Sequence, residues 1–162
     1  MAVPARTILR FCTAVACMSI CACNGQIYPQ GRQTFPDAIT PQARWTAVGN
    51  LQEPSNAIDG NIATVALGPL AQANNWIAID LGKSCMVRMV ILEHGMDEFG
   101  YCRELSVQTS DDGQNWSRGT VVPGLRRVTN CLLTGPVLAR YVRLHCLTPG
   151  ARPWSVAEVY ID

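Results

Sequence analysis

The segment Asn75-Trp76-Ile77-Ala78-Ile79-Asp80-Leu81 indicates the fold class, because its residues alternate along the chain and end at Gly82. Alternation with a period of two predicts a β-strand with one buried face and one solvated face. The same period recurs at 104–109, 140–146 and 157–161, and residues 86–92 form a near-continuous apolar run. No stretch of ten or more residues shows a convincing helical period with caps. The pattern therefore predicts an all-β protein, an antiparallel sandwich or barrel with little helix.

Composition excludes several functional classes. The 162 residues are 48% hydrophobic and 15% charged, with a formal net charge of +1. This apolar content is too high for intrinsic disorder and too evenly spread for a polytopic membrane protein. The near-zero net charge provides no basic field for a nucleic-acid backbone.

The N-terminus resembles an export signal. Arg6 and Arg10 precede an uncharged run at residues 11–22. As a helix that run would span about 18 Å, short of the ~30 Å of a bilayer core, so a cleaved signal peptide fits better than a membrane anchor or a buried N-terminal helix. Ile20-Cys21-Ala22-Cys23 is similar to a bacterial lipobox, which implies that Cys23 becomes the lipidated first residue. Ordinary signal-peptidase cleavage nearby is the alternative.

These features divide the chain into three parts. Residues 1–22 are the predicted lipoprotein signal peptide, 23–42 a Pro/Gln-rich tether and 43–162 the β-sandwich. We expect the protein to be exported and lipid-anchored to a bacterial cell envelope, at the outer membrane, and otherwise to be periplasmic or secreted. The sequence does not specify the oligomeric state.

Four thiols remain once the signal is removed and Cys23 is lipidated: Cys85, Cys102, Cys131 and Cys146. In an exported protein this even number suggests two disulfides, with three pairings open. The alternative is that they are small buried thiols. No Cys-x-x-Cys spacing remains among them, which argues against a zinc site.

Four motifs occur in a fixed order: Ser55-Asn56-Ala57-Ile58-Asp59-Gly60-Asn61 with Thr64, Asn75 to Gly82, Ser110-Asp111-Asp112-Gly113-Gln114-Asn115-Trp116, and Ala139-Arg140-Tyr141-Val142-Arg143-Leu144 followed by Glu158-Val159-Tyr160. Together they resemble the discoidin family, the coagulation factor C-type domains, which overlaps with galactose-binding-like carbohydrate-binding modules. The resemblance covers residues 43–162 and implies an antiparallel jelly-roll sandwich of about eight strands.

The first motif implies a structural Ca²⁺. Carried over by position, the ligands would be oxygen atoms of Asp59, Asn61, Thr64 and Glu158. Hard oxygen ligands suit Ca²⁺, and Gly60 permits a tight turn. The alternative is that Asp59 and Gly60 merely form a turn and that Glu158 is a solvated strand residue.

Ligand recognition is expected in loops at one end of the sandwich. Residues 65–70 lack the aromatic residue that relatives carry there, so the candidates lie in residues 93–103 and beside the last strand. A sugar needs an aromatic platform and fixed polar groups, which suggests His94, Asp97, Phe99, Tyr101, Arg103, Arg152 and Trp154. For Trp154 the competing role is a lid on the core, and Trp76 and Trp116 are predicted to be core residues.

The predicted function is non-catalytic recognition of a glycan or cell-surface component by a lipoprotein module. The alternative is a protein-binding or envelope-scaffolding lipoprotein without sugar affinity. An enzyme is not expected, because the chain has only two histidines and no nucleophile elbow.

Overall fold

The computed structural model describes residues 38–162, and within them the protein has eight strands. They are β1 (Thr46–Gly49), β2 (Ala66–Leu67), β3 (Trp76–Glu93), β4 (Glu104–Ser110), β5 (Thr120–Pro123), β6 (Val128–Thr148), β7 (Ser155–Val156) and β8 (Glu158–Ile161). Two short 3₁₀ segments, Gln42–Arg44 and Pro54–Ile58, are the helical elements of this region. None of its helices has the length and apolar character needed to cross a membrane. The predicted all-β class with little helix is confirmed.

All strand pairing in the large sheet is antiparallel, in the order β1-β3-β6-β4-β5 with β8 added to β3, and β2 pairs with β7 separately. The two long strands each take part in both layers of the sandwich. The first half of β3 pairs with β1 and with the second half of β6, whereas the second half of β3 pairs with β8 and with the first half of β6.

The core lies between these two layers. Inward residues from the first half of β3 and from β4 belong to one continuous cluster with inward residues from the second half of β3 and from β8, including Ile77, Ile79, Leu105, Val107, Val90, Leu92, Val159 and Ile161. Each of these side chains is less than one-tenth exposed. Because the two halves of β3 share one core, the strand bends from one layer to the other.

Gly82 marks that bend. The sequence predicts that the strand ends there, but the ladder of β3 continues with an irregularity between Asp80 and Cys85. Gly82 has a φ of +80°, which glycine adopts without strain, and its N–H donates to Asp80 Oδ1 at 2.7 Å. Two predicted strands are therefore one bulged strand.

The sandwich begins before residue 43. Thr40 is buried, its hydroxyl donates to the Leu81 carbonyl, and Ile39 packs against the core. Gln42 donates to Glu158 Oε1 and to the Val159 carbonyl. Residues 39–42, assigned to the tether from sequence, thus belong to the folded domain. The predicted signal peptide, Cys23 and the rest of the tether lie outside the described residues.

The cysteines form one disulfide in the described region rather than two. Cys102, before β4, is bonded to Cys146 in β6. Cys85 and Cys131 are free and buried. They cannot pair as the strands stand, because Cys85 lies opposite Ala139 and Cys131 lies opposite Val90 in the β3–β6 ladder. The expectation of two bridges is therefore corrected to one bridge and two buried thiols.

Trp76 and Trp116 are only partly buried, so the prediction that both are core residues is wrong. Trp76 lies opposite His145 on the outward face of the sheet. The Arg143 guanidinium lies 4.2 Å from the Trp116 ring centroid and donates to Gln108 Oε1. The tryptophan therefore covers an outward arginine by cation–π contact instead of filling the core.

Candidate functional site

Three loops meet at one end of the sandwich: 94–103, 124–127 and 149–154. Backbone hydrogen bonds join them. The Ser155 N–H donates to the Gly100 carbonyl at 2.7 Å, the Gly124 N–H donates to the Arg103 carbonyl at 2.9 Å, and the His94 N–H donates to the Arg127 carbonyl at 2.8 Å. Residues far apart in sequence are thus held as one surface.

A shallow cavity of about 480 Å³ opens on this surface. It is lined by Met96, Asp97, Glu98, Phe99 and Arg152. Phe99 is 43% exposed, so part of its ring faces solvent in this cavity. Arg152 Nη1 donates to Asp97 Oδ2 at 3.1 Å. The structure thereby brings together Asp97, Phe99 and Arg152 of the predicted ligand-binding set.

Arginine side chains surround the exposed ring. The guanidinium carbon of Arg126 lies 5.0 Å from the Phe99 ring centroid, and that of Arg152 lies 5.8 Å from it. Arg127 Nε pairs with Glu98 Oε1 at 3.1 Å. Each of the guanidinium groups of Arg126 and Arg152 makes a cation–π contact with the ring and has N–H donors available beside it.

Asp97 is a fixed acceptor in this cavity. Its Oδ1 accepts from the Phe99 N–H at 3.0 Å. That hydrogen bond, and the pairing with Arg152, hold the pKa of Asp97 below its usual range. An ionised acceptor, guanidinium donors and an apolar ring side by side match the chemistry of a sugar, which has hydroxyl groups and an apolar C–H face.

His94 lies beneath this surface, where it is only 2% exposed. Its Nδ1 lies 2.8 Å from the Ser155 carbonyl, which can only accept, so Nδ1 carries the proton. Its Nε2 then accepts from the Thr129 hydroxyl at 2.9 Å, and that hydroxyl in turn accepts from the Leu125 N–H. Burial lowers the pKa of His94, which keeps the ring neutral.

Trp154 is also 2% exposed and belongs to the core cluster. Its backbone carbonyl accepts from the Gly68 N–H at 2.7 Å, and its indole Nε1 has no hydrogen-bond partner among the described residues. We therefore correct the prediction that His94 and Trp154 contact the ligand, because these buried side chains cannot touch a sugar on the surface. Both support the loops from inside.

Tyr101 and Arg103 lie beside the cavity rather than in its lining. The Tyr101 ring is partly buried, and its centroid lies 6.3 Å from that of His94. Arg103 is exposed, and its N–H donates to the Thr148 carbonyl at 2.8 Å. Between them, Cys102 anchors this loop to β6 through the disulfide.

The predicted calcium loop adjoins the same end. A smaller cavity of about 210 Å³ lies between this loop and that end of the sandwich. It is lined by Ile62, Glu93, Gly95, Met96, Arg127 and Val128. Gly95 has a φ of +77°, and a side chain on it would reach 3.2 Å from Val65 Cγ1 and 3.3 Å from Ala157 Cβ. The glycine thus permits this close approach of residues 62–65 to the loop at 94–103.

Asp59, Asn61 and Thr64 lie in one turn. Asp59 Oδ1 accepts from the Asn61 N–H at 2.8 Å, and Asp59 Oδ2 accepts from the Thr64 hydroxyl at 2.7 Å. Asn61 Oδ1 accepts from the Ala63 N–H at 3.1 Å. Within residues 38–162, no three His, Cys, Asp or Glu side chains cluster as metal ligands. Any cation here would therefore depend on neutral amide, hydroxyl and carbonyl oxygens as well as carboxylates.

The carboxylate of Glu158 shows whether these residues suit a bound cation. This residue is fully buried, and its Oε2 has no hydrogen-bond partner among the described residues. Burial raises the pKa of Glu158, hydrogen bonds from Gln42 and the Gly60 backbone lower it, and the charge of Asp59 raises it further. A buried unpaired carboxylate oxygen is costly, and a bound cation would satisfy it. Glu158 is therefore not the solvated strand residue of the alternative interpretation.

Arg126 and Arg127 are the site residues that sequence reasoning missed. They follow Gly124-Leu125 in the turn between β5 and β6. Consecutive arginines in a turn were the available signal, but their contact with Phe99 and Glu98 depends on the fold.

Comparison with protein-family models gives a match to the F5/8 type C domain over residues 38–159. This match covers more than half of the chain. The chain belongs to the F5/8 type C domain family. The discoidin resemblance found in the sequence is thereby confirmed. The predicted β-sandwich fold class is confirmed as well.

Solved structures share this fold at low sequence identity. A family 32 carbohydrate-binding module of NanJ from Clostridium perfringens, solved with galactose, is 22% identical with a TM-score of 0.65, covering 77% of this chain and 97% of that one. The lectin domain of lectinolysin, solved with Lewis B antigen, is 22% identical with a TM-score of 0.61 over 77% and 97%. A chitosan-binding module from Paenibacillus sp. IK-5 is 24% identical with a TM-score of 0.60 over 73% and 93%. The curated proteins gave no match.

Proposed function

We propose that this F5/8 type C domain binds a glycan at the cavity formed by Met96, Asp97, Glu98, Phe99 and Arg152, without catalysing a reaction. The observation that carries the proposal is the half-exposed Phe99 ring with the Asp97–Arg152 pair beside it. The ring would stack on the C–H face of a sugar, while Asp97 accepts from its hydroxyl groups and Arg152 donates to them.

Relatives of the same fold support a glycan as partner. The NanJ module was solved with galactose, another C. perfringens module with GalNAc-β-1,3-galactose, and the lectinolysin domain with Lewis B antigen. These structures resemble this chain in fold alone, so the particular sugar must be inferred from this chain's own cavity.

The pairing, pKa and burial of the carboxylates argue against catalysis. Glycoside hydrolysis needs a general acid whose pKa is raised, placed beside a second carboxylate. In the cavity Asp97 has a lowered pKa and is paired with Arg152, and Glu98 is paired with Arg127. In the part of the chain that the structure describes, the carboxyl group with a raised pKa is that of Glu158, which is fully buried.

A structural Ca²⁺ is proposed at Asp59, Asn61, Thr64 and Glu158. The unpaired buried oxygen of Glu158 and the hard oxygen donors of the turn support it. Bound there, the cation would neutralise the two carboxylates and hold residues 59–64 against the last strand.

Membrane attachment through a lipid on Cys23 is proposed from the lipobox-like sequence at residues 20–23. Acyl chains would anchor the protein to a bacterial envelope, at the outer membrane, with about 0.8 kcal/mol per buried CH₂. Residues 24–37 would then separate the sandwich from the lipid surface. Mass spectrometry of the purified protein would detect the acylated N-terminal cysteine.

A glycan array tests the central part of the proposal. The full chain should be purified in a polyoxyethylene detergent, because alkyl glycoside detergents themselves carry a sugar. We expect binding that falls about ten-fold or more in Phe99→Ala. Tyr160→Ala is the matched control, since Tyr160 is also 43% exposed but lies on β8 away from the cavity lining. A blank array together with a co-purifying envelope protein would favour the protein-binding alternative.

A further inference from the structure

We propose that the glycan recognised at Phe99 carries an anionic group, a carboxylate or a sulfate ester, which is bound by Arg126 and Arg152. This inference rests on the proposed function and specifies the ligand class of the same site. It depends on how the charges around the ring are paired.

The two carboxylates of the cavity are already neutralised. Asp97 pairs with Arg152 at 3.1 Å, and Glu98 pairs with Arg127 at 3.1 Å. The Arg126 side chain makes no ion pair with any carboxylate in the described part of the chain, and it contacts the Phe99 ring by a cation–π interaction. One positive charge is therefore left over beside the aromatic platform.

The remaining donors of Arg126 and Arg152 lie beside the same ring. A guanidinium group has five N–H donors, and Arg152 spends one hydrogen bond on Asp97. Arg126 and Arg152 both lie within 6 Å of the Phe99 ring centroid, at 5.0 and 5.8 Å. A sugar stacked on this ring would bring a carboxylate or sulfate substituent within reach of both groups, which suit planar anions.

The backbone next to Arg126 has an uncommon conformation. Arg127 has a φ of +64°, a left-handed value that strains a residue with a side chain. The His94 N–H donates to the Arg127 carbonyl, and the Val128 N–H donates to the Arg126 carbonyl at 2.7 Å. The backbone at Arg126, from which the exposed side chain extends, is thus held by these hydrogen bonds.

Matched ligands test the charge directly. We would titrate the full chain, in the same detergent, with lactose, 3′-sialyllactose and 3′-sulfated lactose, and with trigalacturonate against its methyl ester. We expect at least one acidic member to bind about five-fold or more tighter than its neutral partner. The sialylated and galacturonate ligands test the carboxylate and the sulfated lactose tests the sulfate ester. The preference should shrink as salt rises from about 0.05 M to about 0.5 M, since exposed charges are screened.

Substitutions of single arginines then identify the residue responsible for the preference for acidic ligands. Arg126→Gln should abolish the difference between acidic and neutral ligands, because its affinity for acidic ligands should fall further than its affinity for neutral ligands. Arg118→Gln, which removes another exposed arginine, should change neither. Equal affinity for all matched pairs, or a preference that survives in Arg126→Gln, would overturn this inference and leave glycan binding intact. Binding of no glycan at all would overturn both the proposed function and this inference.

Discussion

His94 and Ser155 are joined by two hydrogen bonds in opposite directions. His94 Nδ1–H donates to the Ser155 carbonyl at 2.8 Å, and the Ser155 hydroxyl donates to the His94 carbonyl at 2.6 Å. Ser155 lies 61 residues further along the chain. The pair fixes the start of the ligand-binding loop to the segment that carries Arg152, so the geometry of the cavity depends on it.

Replacing His94 with alanine should destabilise the domain by about 2–4 kcal/mol, because it leaves a cavity and unpaired buried groups on Ser155 and Thr129. Denaturant unfolding measures this change. His145→Ala serves as the control, since His145 is only partly buried on the outward face, and its effect should be well below that of His94→Ala. Equal effects of the two substitutions would contradict the role given to the His94–Ser155 pair.

The same histidine predicts a pH dependence of stability. Burial lowers the pKa of His94 in the folded state below its ordinary value of 6.5. As pH falls below 6.5 the unfolded chain gains a proton that the folded chain does not, so the free energy of unfolding should decrease towards the lowered pKa. His145 contributes in the same direction, because burial and the Arg143 charge lower its pKa.

Unfolding of the parent chain and of His94→Gln, measured between about pH 5 and pH 8, should differ by the His94 contribution, because Glu158, which contributes with the opposite sign, is present in both chains. His145→Gln removes only the second contribution. A slope unchanged by His94→Gln would mean that the buried ring is not the group responsible.

Calcium should raise the melting temperature of the parent chain but not of Glu158→Gln, since the variant lacks the unpaired carboxylate oxygen. Without calcium, Glu158→Gln should be at least as stable as the parent chain near neutral pH, because it removes a buried charge. The raised pKa of Glu158 also predicts a pH dependence. Without the cation, the free energy of unfolding should increase as pH falls through that raised pKa towards the ordinary value of 4.5, because the folded chain then binds a proton that the unfolded chain does not.

Asp111→Asn, at an exposed carboxylate, is the control and should keep the calcium shift. If millimolar calcium leaves the melting temperature of the parent chain unchanged, the proposed calcium site is wrong. Glycan affinity should also fall on chelation, because Ile62 of the calcium loop and Met96 of the ligand-binding loop line one cavity.

Alkylation should distinguish the cysteines. In the folded protein Cys85 and Cys131 should resist iodoacetamide, as both are buried and burial raises the pKa of Cys131 to about 11. After denaturation without reductant both should react, whereas Cys102 and Cys146 should not. Peptide mapping by mass spectrometry reads out each site. Loss of the bridge, which separates its cysteines by 44 residues, should cost about 4 kcal/mol. A Cys85–Cys131 bridge would contradict the strand register.

Much of the fold could be predicted because the inward residues of several strands are apolar and the outward ones polar, as in β4 and β8. The first half of β6 shows why other strands were missed. There Thr129, Cys131 and Leu133 face inward while Leu132 is 70% exposed, so the apolar pattern does not follow the strand's two faces. β2 and β7 have two residues each, too few for any period.

The candidate site was only partly predictable. Phe99, Asp97 and Arg152 follow from the aromatic and polar content of two loops, which is visible in the sequence. Whether His94 or Phe99 faces the ligand depends on partners 35 and 61 residues away, Thr129 and Ser155, which bury the histidine. Arg126 acts through contact with Phe99, and no local pattern encodes that contact.

A crystal structure of the protein with the best array ligand tests the central claim most directly. We expect a sugar ring packed on the exposed part of Phe99, with hydroxyl groups on Asp97 and Arg152 and the acidic substituent on Arg126. A sugar bound elsewhere, such as on the outward sheet face beside Trp116 and Arg143, would contradict it.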